Sequence, residues 1–208
     1  PWIDRVPAVL EAWFSGSEAG NALADVVFGA VNPSGKLPFT FPVRLEDNGA
    51  HTLGEYPGAD KVKYNESIFV GYRWHDKEQL KPLFAFGHGL SYTAFAVGNV
   101  KADRTTLAPN GSIRISADVT NTGDRAGAEV VQLYIGDEQS SLPRPVKELK
   151  GFQKVSLNPG QTQTVTFEIT PGMLQYYDDA KGAWVAEPGA FTAYVGAASD
   201  DIRGTVEF

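Results

Sequence analysis

The chain has 208 residues, of which 42% are hydrophobic and 12% aromatic, with no cysteine and a formal net charge of −7. This length and apolar content suffice for one or two packed domains. The acidic balance and dispersed Lys and Arg speak against nucleic acid, whose phosphates require clustered cations, and the lack of cysteine excludes disulfides, Cys-ligated metals and thiol nucleophiles. No apolar run approaches the ~20 residues that span a bilayer. The opening PWIDRVPAVL carries neither a charged leader nor a long apolar stretch and does not begin with Met, so the chain reads as a processed or excised segment.

Residues 1–42 form a first zone. The apolar run PAVLEAWF (7–14) is expected to be a buried strand. SGSE (15–18) has capping-box spacing, with Ser15 as helix N-cap and Glu18 reaching back. A helix is expected to follow, with Leu23, Val26 and Val27 on one face and Gly29 as its stop. NPSG (32–35) then turns the chain into a second strand, KLPFTF (36–41). One β-α-β unit cannot stand alone, because parallel strands need partners on their edges and cover on both faces. The zone therefore reads as the terminal piece of a larger α/β sheet.

Residues 43–95 form an aromatic-rich, irregular connector containing LGEYPG, YNESIFVGYRWHD and PLFAFGHGLSYTAF. A loop region of this length is functional or wraps another surface. Residues 96–208 alternate with period two. Ile113, Ile115, Ala117 and Val119 share one face, as do Val131, Leu133 and Ile135, and Val165, Phe167 and Ile169. NTGD, NPGQ, DAKG and EPGA punctuate the strands. About seven short strands in such a length indicate an all-β immunoglobulin-like or fibronectin III-like sandwich. The expected fold is thus mixed: a terminal β-α-β piece, a connector and a sandwich.

LEAWFSGSEAGNALADVVFGAVNPSGKLPFTFP resembles the end of the α/β sandwich domain of glycoside hydrolase family 3. YNESIFVGYRWHD with PLFAFGHGLSYTAF resembles that family's connector, and RPVKELKGFQKVSLNPGQTQTVTFEI its fibronectin type III-like domain. The resemblance implies a retaining, exo-acting glycosidase, most often a β-glucosidase, acting on small oligosaccharides or aryl glucosides. It implies an Asp nucleophile on a (β/α)8 barrel and an acid/base, often a Glu, upstream of this segment. The partner implied is the N-terminal remainder of the same enzyme. A β-xylosidase or an N-acetylglucosaminidase is the alternative within the family. A bacterial periplasmic or secreted setting is expected, with a cytoplasmic one left open.

Few residues offer chemistry of their own. Asp178–Asp179 and Asp200–Asp201 sit in turn-like sequence with nothing to split their pKa values, as a glycosidase pair requires. Glu11 and Glu66 are the better buried candidates, and Glu66 is expected to pair with Arg73 or with backbone amides. His51, His75 and His88 have no metal-ligating spacing, and His75 is expected at an exposed strand end. Trp2, Trp13, Trp74 and Trp184 could stack on sugars, though core or interface packing is the weightier reading. Asn65 and Asn110 fit the glycosylation pattern. In PLFAFGHGLSYTAF, Leu83, Phe84, Phe86 and Leu90 are expected to anchor the connector, Gly87 and Gly89 to allow close approach, and His88 to act as a hydrogen-bonding hinge. No residue is assigned a catalytic or metal role, no substrate-binding residue is singled out, and no cofactor is expected. Two other readings are a carbohydrate-binding or adhesion module and a homodimerisation element, since fold does not fix function.

Overall fold

The computed structural model describes residues 2–54 and 56–208; Pro1, and Glu55 of the LGEYPG stretch, lie outside the described residues. Nine antiparallel strands form among the described residues: β1 (Phe95–Ala102), β2 (Ile113–Asn121), β3 (Gly127–Asp137), β4 (Glu148–Leu157), β5 (Thr162–Ile169), β6 (Tyr176–Asp178), β7 (Ala183–Val185), β8 (Phe191–Ala198) and β9 (Asp201–Glu207). A three-stranded sheet, β1-β2-β5, faces a four-stranded sheet, β4-β3-β8-β9, while β6 and β7 form a separate hairpin. The three alternating sets picked out in the sequence meet in one core between the sheets. Each large side chain buried there contributes ~1.5–3 kcal/mol by leaving water.

The four-stranded sheet is covered on its outer face as well. Gln132 and Tyr134 of β3 point away from the core yet are as buried as Val131 and Leu133. The cover is the connector. It contains two short helices, α2 (Gly49–Thr52) and α3 (Tyr72–Lys77). The Tyr72 ring stacks on Phe86 at 5.0 Å and meets Tyr134 edge-on at 5.7 Å. Helix α3 ends in a left-handed residue, Gln79 (φ 53°), with Leu80 N–H donating to the His75 carbonyl at 2.9 Å. This is the Schellman closure, here made without glycine.

Residues 83–88 bridge the two halves of the chain. On one side they run antiparallel to 37–41: Leu37 N donates to His88 O, Gly87 N to Leu37 O and Phe41 N to Phe84 O, each at 2.8 Å. On the other side Ser199 N, in the β8–β9 turn, donates to Phe86 O at 2.9 Å. The expected second strand, 36–41, therefore pairs with the connector rather than in a parallel ladder.

Helix α1 (Ala19–Val27) forms as expected and closes on Gly29 at φ 78°. The capping box does not form. The chain turns at Gly16, whose carbonyl accepts from Ala19 N, so Ser15 lies too early and its hydroxyl reaches back to the Ala12 carbonyl instead. Residues 7–14 enter no strand, since no described segment offers them an edge, and most of their side chains are exposed. The apolar face of α1 is also exposed, through Leu23 and Val27. Asn32 ties this zone to the sandwich: its amide donates to Ala126 O and its carbonyl accepts from Ser91 Oγ and Tyr92 N.

Gly87 and Gly160 separate backbone strain from seam packing. Both have positive φ, but a Cβ on Gly87 would lie 2.2 Å from Gln132 Oε1, whereas one on Gly160 would meet nothing within 4 Å. Urea unfolding should find Gly160→Ala costing about 1–2 kcal/mol, the left-handed penalty alone, and Gly87→Ala costing at least about 2 kcal/mol more from overpacking. Equal costs at the two positions would mean that the seam tolerates the side chain.

Candidate functional site at the sandwich seam

Buried polar side chains, Gln132, Ser199, His75 and Lys147 among them, converge where the connector meets β3 and β8. Gln132 is 3% exposed. Its Nε2 donates to Gly87 O at 3.1 Å and to Ala197 O at 2.7 Å, and its Oε1 accepts from Tyr134 Oη at 2.5 Å. An amide offers two donors and one carbonyl, and all are engaged here. Burial is the main influence pushing the Tyr134 phenol pKa upward, so this hydroxyl stays a donor. Gly89 is equally confined, because a Cβ there would lie 2.1 Å from the Gly35 carbonyl. His88 lies in the same turn, its ring 5.5 Å from Phe84.

Beside the Gln132 amide and its three bonds, the latch of the seam, runs a chain of ion pairs between α3 and the β3–β4 segment. Lys147 Nζ meets Asp76 Oδ2 at 2.6 Å, and Arg144 meets Asp137 at 3.0 Å and Glu148 at 2.7 Å. Arg73 and Lys150 also reach Glu148, at 3.2 and 3.4 Å. Tyr72 Oη accepts from Leu149 N at 2.9 Å. Burial alone would raise the Glu148 pKa; the Arg144 hydrogen bond and the charges of Lys150, Arg73 and Arg144 outweigh it and hold the carboxyl below its usual range. Lys36, from the first zone, pairs with Glu129 at 2.7 Å and donates to Gly89 O. Buried pairs of this kind add little net stability but are costly to break singly.

The residues singled out in the sequence are dispersed. Asp178 is buried rather than solvated: its carboxylate accepts from Ala180 N and Lys181 N and pairs with Lys181 at 2.8 Å, which lowers its pKa. Asp179 and Asp200 are exposed, and Asp201 pairs with Arg203 at 2.7 Å, with a lowered pKa from that hydrogen bond. Every described carboxyl with a displaced pKa is displaced downward. Each is a held anion rather than a poised proton donor.

Glu11 is exposed and accepts from Trp13 N, so it is not a buried candidate. Glu66 does have a buried oxygen, Oε2, without a hydrogen-bond partner among the described residues. Its expected partner Arg73 turns to Glu148 instead, because α3 presents that side chain to the sandwich. His75 lies inside α3, not at a strand end, and is buried with Nδ1 3.1 Å from Leu80 O. His51 sits on α2 against Tyr56. Among the described residues no three His, Asp or Glu side chains gather as a metal site. Trp74 is buried, while Trp2, Trp13 and Trp184 are exposed. Asn65 and Asn110 are exposed. Leu83 and Leu90 are exposed, Leu90 at 76%, and are not anchors; Ala85 and Gly87 are the buried residues of that stretch, with Phe84 and Phe86 partly covered. Gln132, Asn32 and Lys36 carry the seam, yet in the sequence Asn32 marks only a turn, Lys36 only a strand start and Gln132 only a strand position.

Comparison with known proteins places this architecture. The profile of the glycosyl hydrolase family 3 C-terminal domain matches residues 1–92, and that of a fibronectin type III-like domain matches residues 129–199. The chain is 52% identical over its full length to Beta-glucosidase BoGH3A of Bacteroides ovatus, of which it covers 28%. It is 49% identical to Thermostable beta-glucosidase B of Acetivibrio thermocellus over 97% of this chain and 27% of that protein. Among solved structures, the β-glucosidase from Kluyveromyces marxianus in complex with glucose superposes with a TM-score of 0.92 at 43% identity, over 100% of this chain and 25% of that one. The chain thus spans little more than a quarter of the relatives it matches.

The lowered Glu148 pKa fixes the sign of a pH dependence. A carboxyl depressed in the folded state adds stability above its unfolded value, about 4.3, and that stability is lost as pH falls through the folded value. Denaturant unfolding should therefore show the chain weakening below about pH 5. Glu148→Gln should be about 2 kcal/mol less stable at pH 7 and show a shallower acid slope. An unchanged slope in the variant would remove Glu148 from the account.

Proposed function

The chain belongs to glycoside hydrolase family 3, and from that premise we propose that it is the C-terminal region of a retaining, exo-acting β-glucosidase that releases terminal non-reducing β-D-glucosyl residues. The observation that carries this reading is the chain-long identity to β-glucosidases, 52% over the whole of this chain in one case. In the proposed division, residues 1–42 complete an α/β sandwich domain, 43–95 connect, and 96–208 are the fibronectin type III-like buttress. The nucleophile and acid/base are supplied by the part of the enzyme N-terminal to this region. The downward pKa shifts of these carboxyls, each held as an anion by its own partners, support the reading that none of them is the general acid.

The exposed apolar surface of the first zone supports the same arrangement. Phe14 is fully exposed, Phe28 is 87% exposed and Val27 is open to water, as are Val43 and Leu45 at the start of the connector. Several large apolar side chains left open to water mark an interface, and the layer of an α/β sandwich that precedes this segment is the cover they fit.

The test is turnover of an aryl β-glucoside and an aryl β-xyloside. The chain alone should hydrolyse neither. Joined to the barrel and α/β portions of the full-length enzyme, it should yield glucose faster than xylose, with the β-anomer first in the NMR time course. Turnover by the chain alone would overturn the division of labour, and preferential xylose release would overturn the glucosidase assignment.

A further inference from the structure

Asn-Gly occurs twice in the chain, at Asn48–Gly49 and Asn110–Gly111, and the fold treats the two pairs differently. A glycine after asparagine leaves the peptide nitrogen unshielded by a Cβ and its backbone free to turn, so that nitrogen can reach the Asn side-chain carbonyl. The remaining asparagines lack this opening. Asn32 and Asn158 precede proline, which has no N–H to give up, and Asn21, Asn65, Asn99 and Asn121 precede residues with a side chain.

The first pair is locked. Asn48 is the N-cap of α2: its Oδ1 accepts from Ala50 N at 3.2 Å, and its carbonyl accepts from His51 N at 3.0 Å, Thr52 N at 2.9 Å and Thr52 Oγ1 at 3.0 Å. Gly49 is buried against Trp74, where a Cβ would lie 2.9 Å from the ring. Moving the Gly49 nitrogen onto Asn48 Cγ would break the cap and press the peptide against the indole.

The second pair is open. Residues 108–111 make a turn with Pro109 at its first corner, closed by Gly111 N donating to Ala108 O at 2.9 Å. Asn110 is exposed, and its carboxamide has no partner among the described residues. The turn belongs to the β1–β2 loop, which is fastened on either side of it: Asp103 N donates to Arg114 O at 3.0 Å, Asp103 Oδ1 accepts from Arg114 N at 2.9 Å, and Ser112 Oγ donates to Glu168 at 2.6 Å. Only the turn's own backbone bond must open to free the Gly111 nitrogen, a local event of low cost in an exposed loop. We propose that Asn110 is a site of spontaneous deamidation. The Gly111 nitrogen loses its proton and bonds to Asn110 Cγ, the Cγ–Nδ2 bond breaks, and Nδ2 leaves as ammonia with that proton, closing a cyclic imide. Water then opens either imide carbonyl, which leaves aspartate or isoaspartate at position 110 and one added negative charge on the loop. The site rests on the geometry of this loop alone, so its failure would leave the assignment of the chain to a β-glucosidase untouched.

The test is incubation of the folded chain at mildly alkaline pH, followed by ion exchange and peptide mass mapping. An acidic form should accumulate, with its change in the peptide that holds residue 110 and with isoaspartate as well as aspartate among the products. Asn110 should convert at least about tenfold faster than Asn48, the ratio expected when one further hydrogen bond must open. In urea the two pairs should convert at similar rates, because the α2 cap and the Trp74 contact are gone. In Gly111→Ala the new Cβ would lie 3.4 Å from its nearest neighbour, so the variant should fold normally and convert several-fold more slowly. Absence of conversion at Asn110, conversion of Asn48 as fast as Asn110 in the folded chain, the same preference for Asn110 in urea, aspartate without isoaspartate, or an undiminished rate in Gly111→Ala would each overturn the proposal.

Discussion

One buried amide sets the conditions that the rest of the structure meets. Gln132 lies on the outer face of β3, and its side chain cannot be left unpaired away from water without a large desolvation cost. Its three partners come from different parts of the chain: Gly87 O from the connector, Ala197 O from β8, and Tyr134 Oη from its own strand. Each partner carries a requirement. Residue 87 must lack a side chain, since Gln132 occupies the space a Cβ would take. Strand β8 must slip register near Gly196 and Ala198, the irregularity that flanks Ala197. The connector must lie flat on the sheet, so residues 83–88 become a strand-like splice between 37–41 and the β8–β9 turn.

Around the latch, aromatic packing and paired charges share the seam. The Phe86–Tyr72–Tyr134 stack supplies apolar contact, worth about 0.5–1.5 kcal/mol per aromatic pair beyond area burial. The Asp76–Lys147 and Arg144–Glu148 pairs contribute orientation more than energy. They fix which side of α3 faces the sheet, which explains why Arg73 reaches Glu148 and not Glu66. The outcome is a sandwich that continues into the connector, and through Asn32, Lys36 and Phe41 into the first zone.

Much of the sandwich was legible in the sequence. Period-two alternation located the inward residues of β2, β3 and β5 because those strands bury one face against a single core. The same rule gave no sign that the opposite face of β3, with Gln132 and Tyr134, is buried as well; alternation cannot reveal a second cover supplied from a distant segment. The seam itself was visible only as an aromatic and glycine density in PLFAFGHGLSYTAF. Its function as a junction could be read, but Leu90 could not be told from Ala85 as the buried anchor. Helix α1 was readable from its spacing and Gly29, whereas the cap was not, because a turn at Gly16 carries Ser15 out of reach. The strand reading of 7–14 depended on apolar character, which marks what a segment would bury but not which partner buries it.

The seam therefore unites the connector and the sandwich, and native-state hydrogen exchange tests that unity most directly. The Gly87 and Ser199 amides, which donate to Leu37 O and Phe86 O, should open with the same free energy as the Leu133 and Val195 amides of the core strands, as members of one cooperative unit do. Exchange of Gly87 and Ser199 through a separate opening of lower free energy, with Leu133 and Val195 still protected, would contradict the account.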